Sequence, residues 1–460
     1  MRFGPTGQDE IDLLSSPPRK RGSTSVGKGL DSRFRGNDVT SPVQRGTSPA
    51  ALGYRLPAEW EPHEATWIGW PHNLSDWPGK FATIPWVYGE IVRKIAPGEN
   101  VRVLVNSKAH EEGAKRILKR VGVNFSRVGF FHIPTNRGWT RDFGPIFVKL
   151  GGKRHLPGSA DPRPAARRLW AAGWFWGPRP VHKPKEKPAG GKKQSGVAIV
   201  DFGFNGWAKY SDWQKDNKVA SLAARLLGCR RFVARVTMGT RRGGPCGRPW
   251  VNTRAAPTSR QCQFVLEGGS VDGNGRGTLL TTEECLLDPE VQVRNPGFTR
   301  GETEGALREY LGVKNVLWLG KGIAGDDTHG HVDDLCRFVG PRTVVLCRES
   351  NRSDVNYRPL EENRERLEGM RLEDGSRIEV VKLPMPAPLF LNGQRLPASY
   401  ANFYISNAAV LVPTFNDPND RIALGTLAEL FRDRAMIGIH AVDLVWGLGT
   451  IHCLTREQPR

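Results

Sequence analysis

Two short segments hold residues whose types and spacing could do chemistry. GLGTIHCLT sets Cys453 behind a glycine-rich turn and directly after His452. A thiolate is a nucleophile, and backbone N–H groups or neighbouring cations lower the pKa of its thiol. An isolated cysteine is just as commonly a buried small hydrophobe, so Cys453 counts only in company. GDDTHGHVDD gathers two histidines and four carboxylates between Asp326 and Asp334. If this stretch is a strand, residues two apart share a face, and His331 and Asp333 point together into one pocket. A histidine beside a carboxylate is a general acid or base. The plain alternative is a solvated acidic loop. A third is metal binding: His329 and His331 with Asp333 follow the HxHxD pattern of dinuclear zinc hydrolases, although Asp334 stands where that pattern wants a further histidine.

NRGWTRDFGP adds Trp139, Arg141 and Asp142 before a Gly-Pro turn, and FVLEGGS places Glu267 at the end of an apolar segment, followed by two glycines. Each is singly as readily a turn or a satisfied surface charge. Jointly they define a chemistry. A thiol, an imidazole and several carboxylates suit attack on a cationic planar carbon, because carboxylates accept the paired N–H forks of a guanidinium.

These residues need elements to position them. From Gly53 onward short apolar segments alternate with single helical ones: VRVLVN, the helical KAHEEGAKRILKR, a strand near 128–133, VAIVDF, FVLEGGS, GTLLTT, a helix near 303–310, NVLWLG, DLCRFV, TVVLCRE, a helix near 358–370, IEVVKL, FYISNAAVLVPTF and a helix near 418–431. The pattern predicts repeated small α/β units. Residues 1–50 are rich in Ser, Gly, Pro and Arg without apolar periodicity, the composition of a disordered extension. Residues 151–195 and 236–262 lose periodicity again between elements of one style, and read as insertions into a single domain spanning 51–460. There is no GxGxxG after a strand and no GxxxxGK, so a nucleotide site has no support.

The net charge of +20 invites a nucleic-acid partner. Its distribution argues against one. Residues 1–50, 149–196 and 230–262 carry +3, +10 and +8, which leaves the remainder at about −1. Seven cysteines, odd in number and scattered without a CxxC pair, fit a reducing cytoplasm. No apolar run reaches the roughly 18 residues a membrane span needs.

With LPAEWEPHEATWIGWPHN, WTRDFGPIFV, DFGFNGWAKY, LEGGSVDGNGRGTLLTTEECLL, DDTHGHVDD, SYANFYI, VLVPTFNDPND and GLGTIHCLT in order, the chain resembles the agmatine deiminase family, related to the bacterial type of peptidylarginine deiminase. The resemblance covers roughly 53–149, 197–235 and 263–458. It implies the pentein fold, an α/β propeller of five pseudo-repeated units around a central channel. It implies Cys453 as nucleophile, His331 as general acid and base, Asp142 and Asp333 as the pair gripping the guanidinium nitrogens, and Glu267 as the carboxylate that orients His331 and the substrate, with Trp139 against the substrate. No metal or organic cofactor is implied, and the partner is a small guanidine such as agmatine, in a protein that could be a homo-oligomer. Family members known for agmatine read NDxW and DTDGHVDN, where this chain has Arg137, His329 and Asp334; arginine or a peptidyl arginine therefore stays open as substrate. Four readings compete: the deiminase, a zinc hydrolase on His329, His331 and Asp333, a nucleic-acid binder using the basic segments, and a remnant inactivated by its inserts.

Overall fold

In the computed structural model, which describes residues 48–151, 196–238 and 260–460, the alternating segments form five sheets of three or four strands, together with two two-stranded ladders. One rule runs through the five sheets. An antiparallel pair is followed by a parallel pair, and a helix joins the two parallel strands. Thr455–Pro459 runs antiparallel to His63–Gly69, whose parallel partner Asn100–Leu104 follows the helix Ile84–Ile95. The same order holds for Ile146–Leu150, Val197–Asp201 and Arg230–Val233, and for Asp272–Gly273, Thr278–Thr282 and Asn315–Leu319. It holds again for Cys336–Phe338, Thr343–Arg348 and Glu379–Pro384, and for Tyr404–Ile405, Ala409–Thr414 and Ala435–His440. Parallel neighbours cannot be joined by a hairpin, so each unit needs its crossover helix.

The elements form for local reasons. The helix Arg300–Leu311 starts on a capping box between Thr299 and Glu302 and ends at Gly312. Gly312 adopts φ +66°, and a Cβ there would lie 2.2 Å from the Tyr54 carbonyl oxygen, so only glycine fits the turn and the contact. Ala306, Leu307, Tyr310 and Leu311 face the core between this helix and the sheet. In Ala409–Thr414 the first five residues are all buried, as expected of a strand covered on both faces. Burying each Val or Leu there stabilises by about 1.5–3 kcal/mol.

Several expectations are corrected in detail. FVLEGGS is not a strand: Val265 makes one isolated bridge to Gly203, and Gly268–Ser270 is a 3-10 turn that begins beside Glu267. His331 is likewise not on a strand but caps the 3-10 turn Val332–Asp334. FYISNAAVLVPTF divides into two strands at a turn closed by Ser406 and Ala409. Ser48–Ala50, counted with the N-terminal extension, belong to a turn whose Ala50 N–H donates to the Glu309 carbonyl at 3.1 Å. The ends of the 236–262 segment pair with each other, Arg235–Met238 against Arg260–Gln263. The rest of that segment, residues 1–47 and most of 151–195 lie outside the described residues. No helix among the described residues is long and apolar enough to cross a membrane.

Candidate active site

Cys453 lies in the one-turn helix Ile451–Leu454, between the Gly-rich turn and the final strand, and is 6% exposed at the floor of a pocket of about 160 Å³. Trp139 packs beside it: a Cβ on Gly449 would meet the Trp139 ring at 2.9 Å and the Cys453 sulfur at 3.2 Å. Asn402 donates from Nδ2 to Cys453 Sγ at 3.1 Å. Burial, then the carboxylates of Asp333, Asp334 and Asp142, push the thiol well above its usual range, with the Asn402 contact opposing. A cation entering the pocket would offset these carboxylates.

Above the sulfur the chain brings together the four other expected groups. The His331 ring is fully buried, with Nδ1 3.7 Å from Asp142 Oδ1 and 3.9 Å from Asp333 Oδ1, and Nε2 3.9 Å from Glu267 Oε2. These are ion-pair distances rather than hydrogen bonds, and both ring nitrogens are without a hydrogen-bond partner among the described residues. Burial would lower the His331 pKa, but the Asp142 charge and contacts with Cys285 and Glu267 outweigh it and hold the ring well above its ordinary value. Asp142 takes the Trp207 indole N–H at 2.9 Å and the Gly269 N–H at 3.0 Å. Its carboxyl is raised by burial and by Asp333 and Glu267, against the pull of His331. Glu267 is held on Oε1 by Arg294 at 3.1 Å, leaving Oε2 without a hydrogen-bond partner among the described residues; burial opposes ionisation, yet Arg294 and His331 bring its pKa down to about 2. Gly269 sits at the centre, where a Cβ would lie 2.6 Å from His331 Nδ1 and 2.9 Å from oxygens of both Asp142 and Asp333.

Beneath this cluster runs a buried ionic layer. His452 bridges Asp333 Oδ2 at 2.6 Å and Glu59 Oε2 at 2.7 Å. Glu59 also meets Arg337 at 2.9 Å and Arg141 at 3.3 Å, and Arg141 reaches Glu457 at 2.6 Å. Burial alone would raise the Glu59 pKa, but Arg337, His452 and Arg141 together hold it well below the usual range. Asp333 is held down in the same way, burial being outweighed by His452, His331 and Arg337. Breaking a buried pair of this kind leaves an uncompensated charge, so the layer holds the carboxylates above it in place.

The three departures noted in the sequence have separate outcomes. Arg137 lines the pocket, but its guanidinium is taken by Asp76 at 2.5 Å and Asp212 at 2.9 Å and stacks on Tyr210 at 4.2 Å. Asp334 is buried, and burial with the charges of Asp333 and Asp326 pushes its carboxyl well above the usual range. A neutral carboxylic acid offers one donor and one acceptor, as an amide does, and Asp334 Oδ1 accepts from Asn402 at 2.8 Å. His329 turns away, with φ +62° and Nε2 2.8 Å from Asp288 Oδ2, so the HxHxD set does not converge.

Asn402, Glu59, Trp207 and Arg294 were given no role from the sequence. Asn402, Glu59 and Trp207 lie inside SYANFYI, LPAEWEPHE and DFGFNGWAKY, segments that stood out as motifs without showing which side chain faced the site. Nothing in the sequence marks Arg294.

Comparison with known proteins agrees with the geometry. Residues 55–459 match the family described as Porphyromonas-type peptidyl-arginine deiminase. An agmatine deiminase of Medicago truncatula is 30% identical over 438 residues, covering 90% of this chain and 98% of that protein, and one of Ectopseudomonas mendocina is 29% identical over 436 residues, covering 90% and 97%. Among solved structures, the agmatine deiminase of Enterococcus faecalis superposes with a TM-score of 0.69 at 26% identity, covering 90% of this chain and 98% of that one. A putative arginine deiminase from Porphyromonas gingivalis gives 0.65 at 31% identity, covering 88% and 98%.

Proposed function

Because the chain belongs to the Porphyromonas-type peptidyl-arginine deiminase family, we propose that it hydrolyses a small guanidine, agmatine, to N-carbamoylputrescine and ammonia. The observation that carries this reading is the gathering of His331 with Asp142, Glu267 and Asp333 in one buried cluster, which shares Asp142 with a small pocket lined by Cys453 and Trp139.

The guanidinium enters between Asp142 and Asp333, whose oxygens match its paired N–H groups. Its charge offsets the burial and the carboxylates that suppress ionisation of Cys453, and the thiol gives its proton to solvent water. Sulfur attacks the guanidinium carbon, and His331, held in its acid form, protonates the departing ammonia. The neutral imidazole then takes one proton from a water whose oxygen attacks the thiouronium carbon; collapse expels the thiolate, which takes the remaining O–H proton, so the thiol and the imidazolium are both restored. Glu267, fixed by Arg294, orients His331, and Trp139 walls the methylene chain. The five sheets would fan around this pocket as units of a propeller, in a cytoplasmic enzyme.

The test is ammonia release from agmatine, arginine and a peptidyl arginine by the purified protein and by Cys453→Ala. Turnover of agmatine that vanishes in the variant supports the reading. Faster turnover of a carboxylate-bearing guanidine would move the substrate to arginine or peptidyl arginine, and silence on all three from folded protein would overturn it.

A further inference from the structure

Three donors of different chemistry converge on the side of His331 that faces Glu267. The sulfur of Cys285, a carboxylate oxygen of Glu267 and a ring nitrogen of His331 lie within 4.8 Å of one another, and all three residues are buried. Glu267 Oε2 and His331 Nε2 have no hydrogen-bond partner among the described residues, while Arg294 on Oε1 fixes the carboxylate so that Oε2 faces inward. Cys285 is set by the backbone, its N–H donating to the Thr282 hydroxyl at 3.1 Å at the start of the helix Glu283–Leu287. A thiolate, an imidazole and a carboxylate form a donor set typical of zinc, whose ligand atoms sit about 2.0–2.3 Å from the metal. The three donors would have to draw in by roughly 1 Å to reach that geometry.

We propose that Glu267, Cys285 and His331 form a binding site for a soft divalent cation such as Zn²⁺, and that its occupation inhibits the enzyme. Binding exchanges the Cys285 thiol proton, and any proton on His331 Nε2, for the metal. It ties up His331, so the cation competes with proton transfer rather than assisting it; this consequence rests on the deiminase reading, whereas the binding does not. A second cluster, Asp333, Asp334 and Cys453, is also within 4.8 Å. It is the weaker candidate, because Asn402 donates to both Asp334 Oδ1 and Cys453 and His452 occupies Asp333 Oδ2.

Co²⁺ added to the metal-free full-length protein tests the site through its thiolate-to-cobalt absorption band. The band should persist in Cys453→Ser and vanish in Cys285→Ser, with Zn²⁺ affinity in Cys285→Ser lowered by at least about 10–100-fold. Glu267→Gln, which keeps the thiol, should weaken Co²⁺ binding without removing the band, so the result does not hang on the folding of one variant. Loss of the band in Cys453→Ser with retention in Cys285→Ser, or no band in any form, overturns the proposal. Agmatine turnover in metal-free buffer, measured on the same samples, separates failure of the metal site from failure of the deiminase reading.

Discussion

Asn402 donates to the Cys453 sulfur at 3.1 Å while its carbonyl oxygen accepts the Thr450 hydroxyl at 2.7 Å and the His452 N–H at 3.1 Å. The amide cannot flip without losing both acceptor contacts, so its N–H faces the sulfur. A hydrogen bond to a charged atom is worth about 1.5–3 kcal/mol. Asn402→Ala should therefore lower kcat/KM by about 10–100-fold, and Asn402→Asp, which sets another carboxylate against the sulfur, by more. Steady-state kinetics check this; an unchanged kcat/KM in Asn402→Asp would show that its contact with Cys453 does not matter to turnover.

The raised pKa of Cys453 has a sign that alkylation reads directly. A thiol pushed above its usual range stays neutral through neutral pH and ionises only at a pH higher than an ordinary thiol needs. Without substrate, the rate of iodoacetamide labelling at Cys453, followed by mass mapping, should climb steadily beyond pH 9. A plateau between pH 6 and 8 would mean a preformed thiolate and would contradict the carboxylate-suppressed state.

Gly269 is the backbone on which the clamp closes. An added methyl would stand 2.6 Å from His331 and 2.9 Å from oxygens of Asp142 and Asp333. Gly269→Ala should cost activity at least about 100-fold, since misplacement of reacting groups by about 1 Å has that effect. Circular dichroism should show a folded chain; a variant of near-normal rate would show that the cluster is looser than these distances.

His452 bridges two buried carboxylates, and its removal leaves Asp333 and Glu59 facing one another without it. His452→Ala should destabilise by about 3–5 kcal/mol, the cost of breaking a buried pair, read as a lower urea midpoint. His452→Gln, which supplies one donor, should lose less. Equal stabilities for all three proteins would make the layer a spectator.

Much of this site was legible in the sequence, and the part that was not has a physical reason. Cys453, His331, Asp142, Asp333 and Glu267 could be singled out because their types announce chemistry, and the alternation of short apolar segments with amphipathic ones marked the α/β units. Local conformation was harder. Glu267 and His331 border 3-10 turns where an apolar or alternating segment suggested strands, because close packing around Gly269 overrides the local pattern. The ionic layer was not legible at all. Glu59 meets His452 across 393 positions and Arg337 across 278, and no window of sequence shows such partners.

His63–Gly69 finds its antiparallel neighbour in Thr455–Pro459, which begins two residues beyond Cys453. A ribosome therefore delivers the two sides of that sheet almost 400 residues apart, with four other sheets made in between. Until Thr455–Pro459 docks against His63–Gly69, the emerging chain holds Asp142, Glu267 and Asp333 without Cys453 beside them. Shortening the chain by these few residues would thus remove a partner from a strand that lies nearly the whole sequence away.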